Sequence, residues 1–212
     1  ADALATALAQ HAQMLFVGGR PAEAAQAAEE VLALRTLQFG EAHASVVTAQ
    51  ANLSRIQRRL GRLDAAEHSI RAANALRDRL YLPGHPSRAL HLNALLLILR
   101  DRRDFPAALE VARETERITR AAYGAADRFT VIALSNIGAQ HLMMHDNEGA
   151  RGPLAEAVEF ADAHLRAYSS ETVNARKSLG LALARSGDVA AGVAQMERAL
   201  ADAGEAPTPD HD

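Results

Sequence analysis

Two histidines, His141 and His145, stand four residues apart. On a helix that spacing can chelate a metal ion. Met143 and Met144 lie between them, no third ligand is close in sequence, and the pair reads instead as one packed and one exposed histidine. Arg58 and Arg100 are the next candidates: guanidinium forks bind carboxylates bidentately, and with Arg55, Arg59 and Arg185 they could form a basic strip. The competing reading is that these arginines pair with Asp101 and nearby acids. Lys177 is the only lysine, so no phosphate loop of the glycine-rich, lysine-bearing kind exists. The chain has no cysteine, which removes disulfides, zinc–thiolate sites and thiol nucleophiles. No serine, histidine and aspartate stand in a diagnostic local pattern. The expectation is therefore a protein that is not an enzyme and carries no cofactor and no metal.

Composition narrows the setting. Of 212 residues 49% are hydrophobic, enough for a sizeable core, and alanine and leucine, the strongest helix formers, dominate. Alternating β-branched runs are absent, so the class is all-α. A formal charge of −3 argues against a general nucleic-acid binder. The longest apolar run, Ala94 to Leu99, is far below the roughly 18 residues that span a bilayer. Neither nucleic acid nor membrane is an expected partner, and the expected compartment is the cytoplasm. The chain opens on Ala1 without an initiating methionine, so either a leader was removed or this is a segment of a longer protein.

The elements that position these residues emerge from a repeat. Starting at Gly61-Arg62-Leu63-Asp64-Ala65-Ala66, a step of 42 residues back reaches Gly19-Arg20-Pro21-Ala22-Glu23-Ala24. Steps forward reach Arg103 to Ala108, His145 to Ala150 and Gly187 to Gly192, five copies with no insertion or deletion. One slot reads Ala24, Ala66, Ala108, Ala150 and Gly192, all small, as close helix contact requires. Another reads His11, Leu53, Leu95, Ile137 and Leu179, the main apolar knob with one exception, and is followed by Ala12, Ser54, Leu96, Gly138 and Gly180. A third, Leu34, Leu76, Ile118 and Phe160, ends at Asp202, where no following copy remains to bury it.

Each copy parses as helix, turn, helix and connector; in the second copy the helices run from about Ser45 to Leu60 and from Leu63 to about Leu80. Gly61 suits the left-handed position that closes the first helix. Ser45, Ser87 and Thr130 are the expected N-caps. His43 and His85 share a connector slot, where a structural hydrogen bond is expected. Asp104, Asp146 and Asp188 share a slot with Arg20 and Arg62 and read as a solvated edge.

This pattern resembles tetratricopeptide repeats, in the 42-residue variety of kinesin light chains and many bacterial proteins. The resemblance rests on Asn52-Leu53-Ser54, Gly61-Arg62-Leu63, Ala66, Ala73 and Gly84-His85-Pro86, with Asn136-Ile137 in the fourth copy. Arg103, His145, Thr115 and Gly192 depart from it. It implies a right-handed superhelical α-solenoid of about ten helices over residues 1–203, with copies at about 4–44, 45–86, 87–128, 129–170 and 171–203. A flexible tail is expected over 204–212.

The resemblance also implies a concave groove lined by the first helix of each copy, gripping an extended or helical peptide or protein segment, and the arginine strip would suit an acidic or C-terminal peptide there. Mapped slot by slot, its residues are Asn52, Arg55, Arg58 and Arg59; Asn93, Leu97 and Arg100; Asn136, Ala139, Leu142 and Met143; and Asn174, Lys177 and Arg185. The alternative is a regulatory or self-association module of a larger bacterial signalling protein, following a kinase or transcription-regulator domain. Ala190, Ala191, Ala194 and Ala201 suggest only a mildly apolar outer face for the last helix, through which a homo-oligomer could form.

Overall fold

A computed structural model describes residues 2–81 and 84–204. The proposed tail beyond Gly204, and Leu82-Pro83 of one connector, lie outside the described residues. Ten helices occur among those described, and no strand. They are α1 (Asp2–Val17), α2 (Pro21–Phe39), α3 (Ala44–Arg59), α4 (Leu63–Leu80) and α5 (Ser87–Asp101), then α6 (Phe105–Tyr123), α7 (Arg128–Met143), α8 (Asn147–His164), α9 (Ser170–Arg185) and α10 (Val189–Gly204). Contacts divide them into two compact units, Ala1–Asp104 and Phe105–Asp212.

The sharp turn between paired helices comes from one backbone position. Gly19, Gly61, Arg103, His145 and Gly187 all have positive φ, at 74°, 73°, 63°, 61° and 98°. In the second copy Gly61 N–H donates to the Arg58 carbonyl at 3.0 Å and Arg62 N–H to the Gln57 carbonyl at 3.0 Å, so the end of α3 is satisfied by the turn itself. Arg103 and His145 adopt the same left-handed conformation despite their Cβ atoms, at a cost of about 1–2 kcal/mol each.

The residue after next begins the second helix, and the slot read as a solvated edge is its N-cap. Asp146 accepts from Gly149 N–H at 2.9 Å, and Asp188 from Ala191 N–H at 3.3 Å. Arg20 and Arg62 make no side-chain cap there. Connector caps also differ from expectation, standing earlier than Ser45, Ser87 and Thr130. His43 Nδ1 accepts from Ser45 N–H at 3.2 Å, His85 Nδ1 from Ser87 N–H at 3.2 Å, and Asp127 from Phe129 N–H at 2.8 Å. Ser169 completes the series by accepting from Thr172 N–H at 3.2 Å. The physical reason is reach: an Nδ1 or carboxylate oxygen curls back over the first turn, leaving the downstream hydroxyls inside the helix. Thr130 is buried and its hydroxyl donates to the Gly124 carbonyl at 2.8 Å. The two connector histidines also pack on aromatic residues four earlier, His43 stacked on Phe39 at 4.3 Å between ring centroids and His85 tilted against Tyr81 at 4.9 Å.

Packing follows the repeat slots. Ala24, Ala66, Ala108 and Ala150 are completely buried, and Gly192 is buried with them. In the last pair the helices approach so closely that a Cβ on Gly192 would meet the Gly180 carbonyl at 2.7 Å. The knobs Leu53, Leu95, Ile137 and Leu179 are buried, whereas His11 is exposed. In unit 1, Leu53 and Ile56 of α3 join Ala12, Leu15, Ala24 and Ala28 in one cluster, so α3 closes onto the first pair. In unit 2, Leu134, Leu142, Leu154, Val158 and Leu179 form the corresponding core.

Two expectations need correction here. Asp202 is not left without a counterpart: Arg176 of α9, 2% exposed, donates to Asp202 at 2.7 Å and to Asp162 of α8. The outer face of α10 is more apolar than its alanines suggest, because Val189, Val193, Met196 and Leu200 are exposed at helical spacing. No described helix is long and apolar enough to cross a membrane.

Candidate functional site

In unit 1 the first helices of successive pairs, α1, α3 and α5, leave two clefts between them. The larger, about 610 Å³, lies between α1 and α3 with α2 as its floor. Ala12, Ala28, Val31, Ala49 and Ile56 give it an apolar interior, and Gln10, Gln13, Arg35, Asn52 and Arg55 stand at its polar rim. Small side chains create the space: where α1, α2 and α3 meet, alanine leaves volume that leucine would fill. The second cleft, about 280 Å³, lies between α3 and α5 and is lined by Asn52, Arg55, Arg58, His91, Asn93 and Leu97 among others.

Asn52 and Arg55 face both clefts, being on α3 between them. Arg55 is held in place twice: its Nη2 donates to Gln13 Oε1 at 2.6 Å, and its guanidinium lies over the Phe16 ring at 4.4 Å from the centroid. Stacking and the single hydrogen bond orient the fork without neutralising it. The other two arginines of the clefts are already paired. Arg58 Nη1 meets Asp101 Oδ2 at 2.7 Å, and Arg35 pairs with Asp2 while donating to Thr6 Oγ1 at 2.8 Å. Among the described residues Arg55 has no carboxylate partner, and neither cleft lining contains an aspartate or glutamate. An anion entering between α1 and α3 therefore meets an oriented, uncompensated guanidinium beside an apolar floor.

Five of the groove residues expected from the repeat slots come together here: Asn52, Arg55, Arg58, Asn93 and Leu97. Arg59, at the end of α3, is exposed and lines neither cleft, and Arg100 is half-buried one turn beyond Leu97. The basic strip is thus interrupted at Arg58, whose charge is engaged by the neighbour of Arg100. In unit 2, Asn136 and Ala139 are half-buried on α7, Met143 is exposed at its end, and Asn174, Lys177 and Arg185 are exposed along α9. Leu142 is a correction: it is 5% exposed and belongs to the core of unit 2, because its slot turns toward α8 and not toward solvent.

Much of the larger cleft escaped the slot mapping, which began at the second copy. Gln10 and Gln13 are the residues that precede Asn52 and Arg55 by one repeat, so the same register would have found them. Arg35 and Val31 belong to the second helix of their pair, which groove mapping on first helices passes over. The histidine pair of α7 is divided between two tasks. His141 Nδ1 engages Asp146 Oδ2 at 2.7 Å, while exposed His145 takes the left-handed turn position. The Gly149 N–H, with His141 beside it, holds the Asp146 carboxyl below its ordinary range. Among the described residues no group of three or more histidines and carboxylates is placed to hold a metal ion.

Known structures share this architecture. A candidate kinesin light chain of Podosopora anserina, made of nearly identical TPR-like repeats, superposes with a TM-score of 0.82 over 94% of this chain and 95% of its own, at 16% identity. The chain has the tetratricopeptide-like repeat fold. BtubC (BKLC) from P. vanneervenii matches with a TM-score of 0.70, 17% identity, and 99% and 94% of the two chains. MamA from Desulfovibrio magneticus RS-1 gives 0.66, 15% identity, and 97% and 98%. No family model matches the chain, and neither does any curated protein.

Proposed function

We propose that this tetratricopeptide-like chain is a protein-interaction module, whose unit 1 holds a peptide or protein segment in the cleft between α1 and α3. The occupant places a bulky apolar side chain over Ala28 and Val31 and a carboxylate against Arg55. The observation that carries this reading is the state of Arg55: fixed by Gln13 and Phe16, open to a preformed apolar cleft, and lacking a carboxylate partner among the described residues. Charge complementarity selects an acidic segment, and Asn52 alongside offers an amide to its backbone. The repeat fold supports the same reading, since stacked helix pairs present extended binding surfaces.

Selection of random peptides on the whole chain tests the proposal, followed by fluorescence anisotropy of the enriched sequences. Enrichment of an apolar residue near an aspartate or glutamate is expected. Arg55→Glu should then weaken binding at least tenfold, because a hydrogen bond to a charged group is worth about 1.5–3 kcal/mol. Equal affinity of wild type and variant for the selected peptides would remove Arg55, and with it the acidic partner, from the reading.

A further inference from the structure

The two clefts of unit 1 are the same site one repeat apart. Moving 42 residues along the chain converts Gln10 and Gln13 of the first into Asn52 and Arg55 of the second, and Ala49 and Ile56 into His91 and Ile98. Yet their volumes differ, at about 610 and 280 Å³. The difference lies at the floor. In the first cleft Ala28, Val31 and Arg35 of α2 line the space, the first two buried at 5% and 6% exposure and Arg35 half-buried. Their counterparts on α4 are Ile70, Ala73 and Arg77, which do not line the second cleft and are 0%, 0% and 1% exposed.

We propose that His91 is a plug that shuts the second cleft at its floor, so that unit 1 offers one seat for a bulky side chain instead of two. His91 occupies a slot that is otherwise alanine: Ala49, Ala133 and Ala175 are 5%, 1% and 0% exposed. It is the one imidazole in that series, half-buried where a methyl group suffices elsewhere. Its ring lines the second cleft, where none of the three α4 counterparts does, and the charges of Arg77 and Asp78 on α4 contribute to its environment. Nothing in its hydrogen bonding explains its presence, since Nδ1 is buried with no partner among the described residues. Packing the repeat does not need this histidine, because alanine serves at the other positions. What it changes is access, which makes it a specificity-determining residue: it fixes the bulky anchor of a bound segment to the α1–α3 seat, and hence the register of that segment.

This inference rests on the proposed α1–α3 seat, and its test separates the two. The probe is 8-anilinonaphthalene-1-sulfonate, a bulky aromatic anion suited to an apolar floor beside an arginine, titrated into the whole chain by calorimetry to count sites. Wild type should bind one equivalent and His91→Ala two. Ala49→His, which copies the plug into the first cleft, should bind none, and the double variant should bind one. Should Ala49→His lose its cooperative thermal melt, Ala9→Phe at the rim of the first cleft replaces it. One equivalent for both wild type and His91→Ala overturns the plug and leaves the first seat standing. Undiminished binding after the first cleft is filled overturns the seat, and with it the inference. No binding by wild type or His91→Ala overturns both.

Discussion

In α9, Arg176 stands where the preceding copies have Leu8, Gln50, Leu92 and Leu134, and Asp202 of α10 stands where they have Leu34, Leu76, Ile118 and Phe160. An apolar contact has been replaced by an ion pair. Arg176 is 3% exposed in its side chain, Asp202 14% and Asp162 33%, so the guanidinium is dry while one of its two carboxylates retains much of its hydration. Arg176→Leu would leave Asp202 nearly buried without a counter-ion. Breaking a buried pair costs 3–5 kcal/mol, and the partly hydrated Asp162 places this one at the lower end, about 3 kcal/mol. Asp202→Leu would leave Arg176 with Asp162 alone, a loss of about 2 kcal/mol for one charge-assisted bond. Independent effects would therefore sum to about 5 kcal/mol. The double variant should instead lie within about 1 kcal/mol of wild type, because it restores the apolar filling of the third and fourth copies and removes both desolvation penalties. Urea denaturation followed by circular dichroism measures all three. A double variant as unstable as the summed singles would refute the reasoning, showing that the triad stabilises the fold through more than its own pairing.

Backbone strain at the turns gives a second expectation: Arg103→Gly and His145→Gly should each raise stability by about 0.5–1 kcal/mol, the left-handed penalty relieved less the added freedom of glycine in the unfolded chain. Thermal melts that fall on either substitution would show a side-chain role outweighing the strain. A third concerns pH. Burial, and then the nearby Arg77 guanidinium, lowers the His91 pKa below that of an ordinary histidine, against a smaller opposing effect of Asp78. The folded state therefore favours the neutral ring. The associated stability is present above the unfolded-state pKa of about 6.5 and is lost as pH falls toward the lower folded value. Comparing urea midpoints at pH 7 and pH 5 should show a smaller acid loss in His91→Ala than in wild type; equal losses would assign the acid sensitivity to other groups.

The repeat was legible because its causes are local and recur. A small residue where two helices touch, a glycine at a left-handed turn and an apolar knob on the first helix each leave a mark every 42 residues. Even divergent copies kept the geometry, as the positive φ of Arg103 and His145 shows. The caps were less legible. Serine and threonine are the usual cap signals, yet near Ser45, Ser87 and Thr130 the N–H bonds are accepted by His43, His85 and Asp127; the shared connector slot pointed to a structural hydrogen bond for the two histidines. Candidate groove residues were legible as slots but not as neighbours. The α3 register brings Asn52, Arg55 and Arg58 to the clefts of unit 1, whereas Leu142, mapped in the same way, lies in the core of unit 2.

The amino-acid sequence alone determined the helical class, the period of the repeat, and which positions had to be small, apolar or turned, since each follows from contacts within a repeat or between adjacent ones. Only tertiary structure decided which arginine keeps an uncompensated charge. Arg55 and Arg58 are three residues apart on one helix, yet one rests on Phe16 and Gln13 while the other meets Asp101. It also decided that two equivalent clefts differ in volume. Both outcomes depend on side chains that meet across helices far apart in the chain, and the free volume or charge left over is a sum over all of them.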